Sequence, residues 1–333
     1  MEKQNVTIYD VARESGVSMA TVSRVLNGNS NVRQATKEKV LKVIDDLDYR
    51  PNAVARGLAS KKTTTVGVII PDVTDGYFSS LARGIDDIAT MYKYNIILAN
   101  SDDNPDKEAS VLNTLLSKQV DGIIFMGNEI NDDLRADFKR SDCPIVLAGS
   151  VDINNSVPSV NIDYADAVKN ETERLIKNGN SRIAFASGSM KQDVNKKYRL
   201  KGYVSALENN GIKFNEKLVF ETKGTYEDGY DLAEQIINDK VTAAVATNDE
   251  LAAGILNGMT DRGVSVPQDF ELFTSNNTKL AKMMRPQLSS ITQPLYDIGA
   301  VAMRLLTKIM NKEEIDNRYV VLGYEIVERD STK

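Results

Sequence analysis

Two hydrophobic rhythms divide this chain. From residue 7 to about residue 50, apolar positions recur at helical spacing, whereas from Val66 onward short apolar runs alternate with amphipathic stretches. The opening segment, Thr7-Ile-Tyr-Asp-Val-Ala-Arg-Glu-Ser-Gly-Val-Ser-Met-Ala-Thr-Val-Ser-Arg-Val-Leu-Asn27, is spaced as two short helices joined by a tight turn. Ala12 is small where two helices must touch, and Gly16 sits where the turn needs a positive backbone angle. Val17, Val22 and Val25 are the apolar positions that pin the second helix to the first, and Ser18 can cap that helix with its hydroxyl. This is a helix-turn-helix pattern, whose second helix lies in a DNA major groove and reads base edges; an ordinary surface hairpin of helices is the plainer alternative. A third helix is expected from Thr36 to Asp48, with Val40, Leu41, Ile44 and Leu47 on its apolar face, broken by Tyr49-Arg50-Pro51. Asn52 to Ala59 is alanine-rich, but isolated helices shorter than about 12 residues are marginal in water, and Gly57 weakens this one further. Ser60 to Thr65 reads as a polar linker.

After Val66 the strands expected are 66–70, 95–99, 122–126 and 145–148, then 183–186, 243–246 and 270–273. Amphipathic helices fall between them, near 77–93, 105–117 and 132–140, then 165–178, 196–210, 226–239 and 249–262. This rhythm predicts an α/β fold with parallel sheets, arranged as two similar lobes in succession with a cleft between them. Ligands in such folds sit at the C-terminal ends of strands and at domain interfaces. The expected organisation is a head over 1–50, a hinge and linker over 51–65 and a two-lobed core over 66–333.

Charge sharpens this division. Residues 1–62 hold 11 Lys and Arg against 7 Asp and Glu, a net +4, which leaves −10 on the rest of a chain whose total is −6. A basic head on an acidic body suits a DNA module joined to a body that does not bind DNA. Histidine is absent, which removes the commonest general base and metal ligand. The single cysteine, Cys143, precedes Pro144 and an apolar run and reads as a buried structural thiol. No phosphate-binding glycine motif follows a strand, so no cofactor or metal is expected, and scattered carboxylates default to solvated helix faces. The polar N-terminus carries no signal-like segment and no run approaches membrane-spanning length, so the expectation is a cytoplasmic chain.

On the second helix, Met19, Ala20, Ser23 and Arg24 fall on the face away from Val22 and Val25. Arg24 can hydrogen-bond a guanine through both nitrogens, with a phosphate clamp as the alternative. Met19 and Ala20 lack donors and suit apolar contacts such as thymine methyls. Thr7, Ser18, Thr21 and Tyr49 are candidate phosphate contacts. Farther along, Arg304 and Lys308 lie four apart after Pro294 and share a helix face. Two such cations can bind a phosphoserine, or be merely solvated charges near a helix C-terminus.

The opening run, the Arg50-Pro51-Asn52 junction and the two-lobed body resemble the LacI/GalR family of bacterial repressors along essentially the whole chain. The segments Tyr49–Pro71, Asp87–Leu98 and Asp297–Lys308 resemble the branch that governs carbon catabolite repression. The resemblance implies a periplasmic-binding-protein-like core, a homodimer on pseudo-palindromic operators and serine-phosphorylated HPr as corepressor. It implies hinge contacts to DNA from Asn52, Ala55 and Leu58, with Leu58 wedged between base steps in the minor groove. The hinge would order only beside its dimer mate on DNA, which makes it a switch. The phosphoserine site would then be Arg304 and Lys308, with Tyr296, Asp297 and Ala300 around it and apolar support from Leu81–Tyr92. For the effector cleft the matching positions are Arg199, Asn248 and Asn276. Asn276 stands where the family usually carries an aspartate that clamps sugar hydroxyls, which weakens the case for tight sugar binding. Phosphosugars are expected only as weak adjuncts, with Arg199 the candidate for their phosphate. A sugar-induced local repressor of the same family and a sugar-directed α/β enzyme with an accessory DNA head are the competing readings.

Overall fold

A computed structural model describes residues 6–28, 31–50, 62–127 and 130–333, and the chain divides into two compact units, one up to Thr63 and one from Thr64. In the first unit, α1 (Ile8–Ser15), α2 (Met19–Leu26) and α3 (Gln34–Asp46) close on a small core of Val11, Ala12, Val22, Val25, Val40 and Tyr49. Gly16 ends α1 with φ 62°, in the left-handed region, so the turn takes the conformation only glycine adopts cheaply. Leu41, expected inside, is 42% exposed. The inner face of α3 is instead Val40, Val43, Ile44 and Leu47, the positions three and four apart that share one side of a helix.

The second unit holds two six-stranded sheets. The first lobe begins with β1 (Thr65–Ile70), α4 (Gly76–Met91), β2 (Asn95–Asn100), α5 (Pro105–Ser117), β3 (Gly122–Phe125), α6 (Asp132–Arg140), β4 (Ile145–Ala148) and β5 (Ser159–Ile162). The second lobe runs through α7 (Tyr164–Lys177), β6 (Ile183–Ser187), a π-helical turn (Val194–Arg199) leading into α8 (Leu200–Asn209), β7 (Val219–Glu221) and α9 (Tyr226–Asn238). It continues with β8 (Ala243–Ala246), α10 (Asp249–Asp261), β9 (Glu271–Thr274), α11 (Lys279–Met283) and β10 (Ser289–Thr292). The chain then adds α12 (Leu295–Met310), β11 (Tyr319–Leu322) and β12 (Glu325–Val327).

The sheet orders are β11-β5-β4-β3-β1-β2 and β12-β10-β9-β8-β6-β7. Every pairing is parallel except β10 with β12. The lobes are therefore not two successive blocks. α12 packs back on the first lobe and β11 completes its sheet, while β12 returns to the second. Both faces of each sheet are covered, which is why their strands read as continuous apolar runs. On β1, Val66, Val68 and Ile70 face α4 and α12, and Ile69 faces α5 and α6. α4 and α12 touch backbone to backbone: a Cβ on Gly84 would lie 2.0 Å from the Tyr296 carbonyl oxygen, and one on Gly299 equally close to that of Leu81.

Candidate functional site

The head presents α2 with one face buried and one free. Ser18 caps it, its Oγ accepting the Thr21 N–H at 3.3 Å and lying 3.0 Å from the Thr21 hydroxyl. Val22 and Val25 point inward; Met19, Ala20 and Arg24 are exposed, and Thr21 and Ser23 are half-buried. Arg24 has no acidic partner among the described residues, so its guanidinium is available to an external acceptor. Two other expected contacts have prior duties. Asp10 accepts from both the N–H (3.0 Å) and the hydroxyl (2.7 Å) of Thr7, which holds the Asp10 carboxyl below its usual pKa. The Thr7 hydroxyl thus helps to fix the helix start. Tyr49 is 9% exposed and packs into the head's core, so it is first a core residue. Asn52, Ala55 and Leu58 lie outside the described residues.

In the core, Arg199, Asn248 and Asn276 do come together. They line a cavity of about 250 Å³ between the lobes, facing Asp72, Asp75, Tyr77 and Asp103 of the first lobe. A neighbouring cavity of about 540 Å³ shares Asp75, Asn248 and Asn276 and reaches Arg83, Lys279 and Tyr296. The three polar residues are already engaged. The Arg199 guanidinium lies 5.2 Å above the Tyr164 ring and donates to Asn195 Oδ1 at 2.9 Å. Asn248 caps α10, accepting the Leu251 N–H at 2.8 Å and donating to the Gly224 carbonyl at 3.1 Å. Asn276 is buried, its Oδ1 accepting from Gln293 Nε2 at 3.1 Å.

Four carboxylates, Asp72, Asp75, Asp103 and Glu250, share the smaller cavity with two cations, Arg199 and Lys223. Burial raises the pKa of Asp75, aided by the charges of Asp72 and Asp249 and opposed by the Tyr77 N–H it accepts. Burial also raises Glu250, with Asp75 and Asp72 adding to the effect. The sequence reading missed Asp72 and Asp75, although both follow the C-terminal end of β1, the edge where parallel sheets place ligands.

On α12, Tyr296, Asp297, Arg304 and Lys308 form an exposed stripe, with half-buried Val301 among them. Arg304 and Lys308 have no ion-pair partner among the described residues. Tyr296 donates to Asp87 at 3.1 Å, and Asp87 pairs with Arg83 at 2.7 Å. Ala300 is 4% exposed, and its backbone amide lies against α4 at the Gly84 contact, so it offers little surface of its own beside the exposed stripe. Leu81, Ile85 and Ile88 likewise fill the first-lobe core, because the apolar stripe of α4 faces the sheet. The exposed apolar side chains of that stretch are Met91 and Tyr92.

Residues 7–52 match the family described as bacterial regulatory proteins, lacI family, and residues 63–317 match periplasmic binding proteins and sugar binding domain of the LacI family. The chain therefore belongs to the LacI family, and it is a DNA-binding transcription regulator and not an enzyme. Within that family it is similar to catabolite control protein A of Streptococcus mutans, 58% identical over 328 residues and 98% of each chain. The crystal structure of the transcription regulator CcpA of Lactococcus lactis superposes with TM-score 0.78 at 49% identity, covering 81% of this chain and 99% of that one. The Lac repressor dimer bound to operator and an anti-inducer superposes with TM-score 0.89 at 25% identity over 99% of each chain. Among the described residues no helix is long and apolar enough to cross a membrane, and no cluster of metal-ligating side chains occurs.

Proposed function

We propose that this chain is a homodimeric, cytoplasmic regulator of carbon catabolite repression and activation. It binds pseudo-palindromic operators and takes serine-phosphorylated HPr as its corepressor. The observation that carries this reading is the pair of exposed cations Arg304 and Lys308, four residues apart on α12 and without an ion-pair partner among the described residues. A phosphoserine brings close to two negative charges, which an arginine can grip with two parallel hydrogen bonds and a lysine as a point charge. Tyr296, Asp297 and Val301 border the pair. The likeness to the operator-bound Lac repressor dimer supports a two-fold arrangement, and a two-fold dimer calls for a palindromic site.

In this reading residues 1–50 read DNA, 51–65 form the hinge and 66–333 hold the effector and dimer surfaces. Arg24 reads a guanine, Met19 and Ala20 contact thymine methyls, and Ser18, Thr21 and Ser23 line the phosphates and groove edge. Asn52, Ala55 and Leu58 enter the minor groove, with Leu58 as the wedge. Calorimetry of this protein against phosphorylated and unphosphorylated HPr tests the assignment: binding that depends on the phosphate is expected, and equal binding of both forms contradicts it.

A sugar-induced local repressor is the second reading, favoured by the polar groups that both lobes contribute to one cavity. Phosphosugar adjuncts at Arg199 would meet Asp72, Asp75, Asp103 and Glu250 in the same cavity, with Lys223 as a second cation. Operator release by a free sugar, with no response to HPr, would decide for this second reading.

A further inference from the structure

Beneath the cleft floor lies a carboxyl group that none of these roles uses. Glu171, on α7, is fully buried, and its Oε2 has no hydrogen-bond partner among the described residues. Its Oε1 lies 3.4 Å from the Ser275 hydroxyl, and that hydroxyl lies 3.1 Å from the Ala246 carbonyl oxygen. A hydroxyl carries one proton and a carbonyl can only accept, so the serine proton belongs to the shorter contact with Ala246. The 3.4 Å contact with Glu171 is left without the serine proton, and a neutral Glu171 can supply one of its own. Among the described residues no backbone N–H reaches either carboxyl oxygen, and an ionised carboxylate without such donors would be costly here. The charged group that bears on Glu171 is Arg199, which is not within ion-pair distance and is held instead by the Tyr164 ring and Asn195. The strand ends facing it contribute Ala246 and Ser275, neither of which titrates. Burial drives the Glu171 pKa well above the carboxylate range, opposed by Arg199 and Ser275.

We propose that Glu171 is kept as a neutral carboxylic acid and is a positioning residue for the cleft. Its proton fixes Ser275 beside Asn276, and its lack of charge leaves Arg199 seated on Tyr164. The Tyr164 hydroxyl in turn lies 3.5 Å from that of Tyr77 on α4 and donates to the Gly149 carbonyl at 3.3 Å, both in the first lobe. Loss of the proton places a negative charge opposite Arg199, draws the guanidinium away from Tyr164 and loosens this link between lobes. The inference holds whatever ligand fills the cleft.

The sign of the pH dependence follows. With a folded pKa above the unfolded one, the group's favourable contribution is complete below about pH 4.3 and is lost as pH rises toward the folded value. The test uses the full-length protein. Infrared spectra near pH 7 should show a protonated-carboxyl C=O band in the wild type that is missing in Glu171→Gln. Ser275→Ala, which removes the hydroxyl that faces Glu171 and bonds Ala246, should keep the band but move it to higher frequency. Between about pH 5 and about pH 9 the melting temperature of wild type should fall relative to Glu171→Gln. The Ser275→Ala shift is read on a variant that keeps the acid, so it stands even if Glu171→Gln folds poorly. No protonated-carboxyl band, a band unmoved by Ser275→Ala, or parallel melting profiles would overturn the proposal.

Discussion

On α2 the exposed side chains have no other work, whereas in the cleft nearly every polar side chain already has a partner inside the protein. Met19, Ala20 and Arg24 project from one eight-residue helix whose other face is anchored by Val22 and Val25. Arg199, Asn248 and Asn276 reach their cavity from three separate segments and are held by Asn195, Leu251 and Gln293. A surface of the first kind can change what it recognises without disturbing the fold. In the second kind, recognition and architecture are the same hydrogen bonds, so changes there are felt as stability. α12 combines the two: one face is locked to α4, the other offers Arg304 and Lys308 to solvent.

The largest effect should come from the locked face. Gly84→Val forces a side chain into the Tyr296 carbonyl and the Ala300 amide, which are backbone and cannot rotate away. Overpacking of this kind costs about 3 kcal/mol, and denaturant unfolding of the core should show it. A cost under about 0.5 kcal/mol would mean that the two helices do not meet as described. On the open face of the same helix, Arg304→Ala should leave stability within about 0.5 kcal/mol while lowering phospho-HPr affinity tenfold or more, since charge-assisted bonds contribute about 1.5–3 kcal/mol. Lys308→Ala should cost less, because an ammonium lacks the two-pronged geometry. Calorimetry on both variants ranks them, and the reverse order would remove arginine from the centre of the site.

The same contrast explains what could be read from the sequence. The helix-turn-helix was legible because its determinants are local: Ala12, Gly16, Ser18 and the valines stand within one short run. β1, β2, β3, β4, β6, β8 and β9 were legible as apolar runs. β5, β7 and β10 were not, since Ser159-Val-Asn-Ile, Val219-Phe-Glu and Ser289-Ser-Ile-Thr mix polar residues into strands that only their neighbours stabilise. The return of α12 and β11 to the first lobe is a long-range pairing with no local signature. Arg304 and Lys308 were visible as a spacing, but that Ala300 faces inward depends on the partner helix. Asp72 and Asp75 carried a signal in their place just after β1, whereas Glu171 meets Ser275 through tertiary packing alone.

The two regions can be separated by matched substitutions. Arg24→Ala should cost about 1–3 kcal/mol at one guanine per half-site and relax preference there, with unchanged melting. Equal weakening across all sequences would make Arg24 a phosphate contact. Asn248→Ala removes the α10 cap and should cost about 1 kcal/mol of core stability while DNA binding by the head stays the same. A stability loss near zero would show that Asn248 is kept for a ligand and not for the helix.

The central claim is that a phosphate received on α12 governs DNA binding by the head. Operator affinity, measured by fluorescence anisotropy at fixed salt with and without serine-phosphorylated HPr, tests it most directly in wild type and Arg304→Ala. The account predicts tighter operator binding with phospho-HPr in wild type, no gain with unphosphorylated HPr and little or no gain in Arg304→Ala, with equal basal binding of the two proteins. An equal gain in both proteins, or none in wild type, would contradict it.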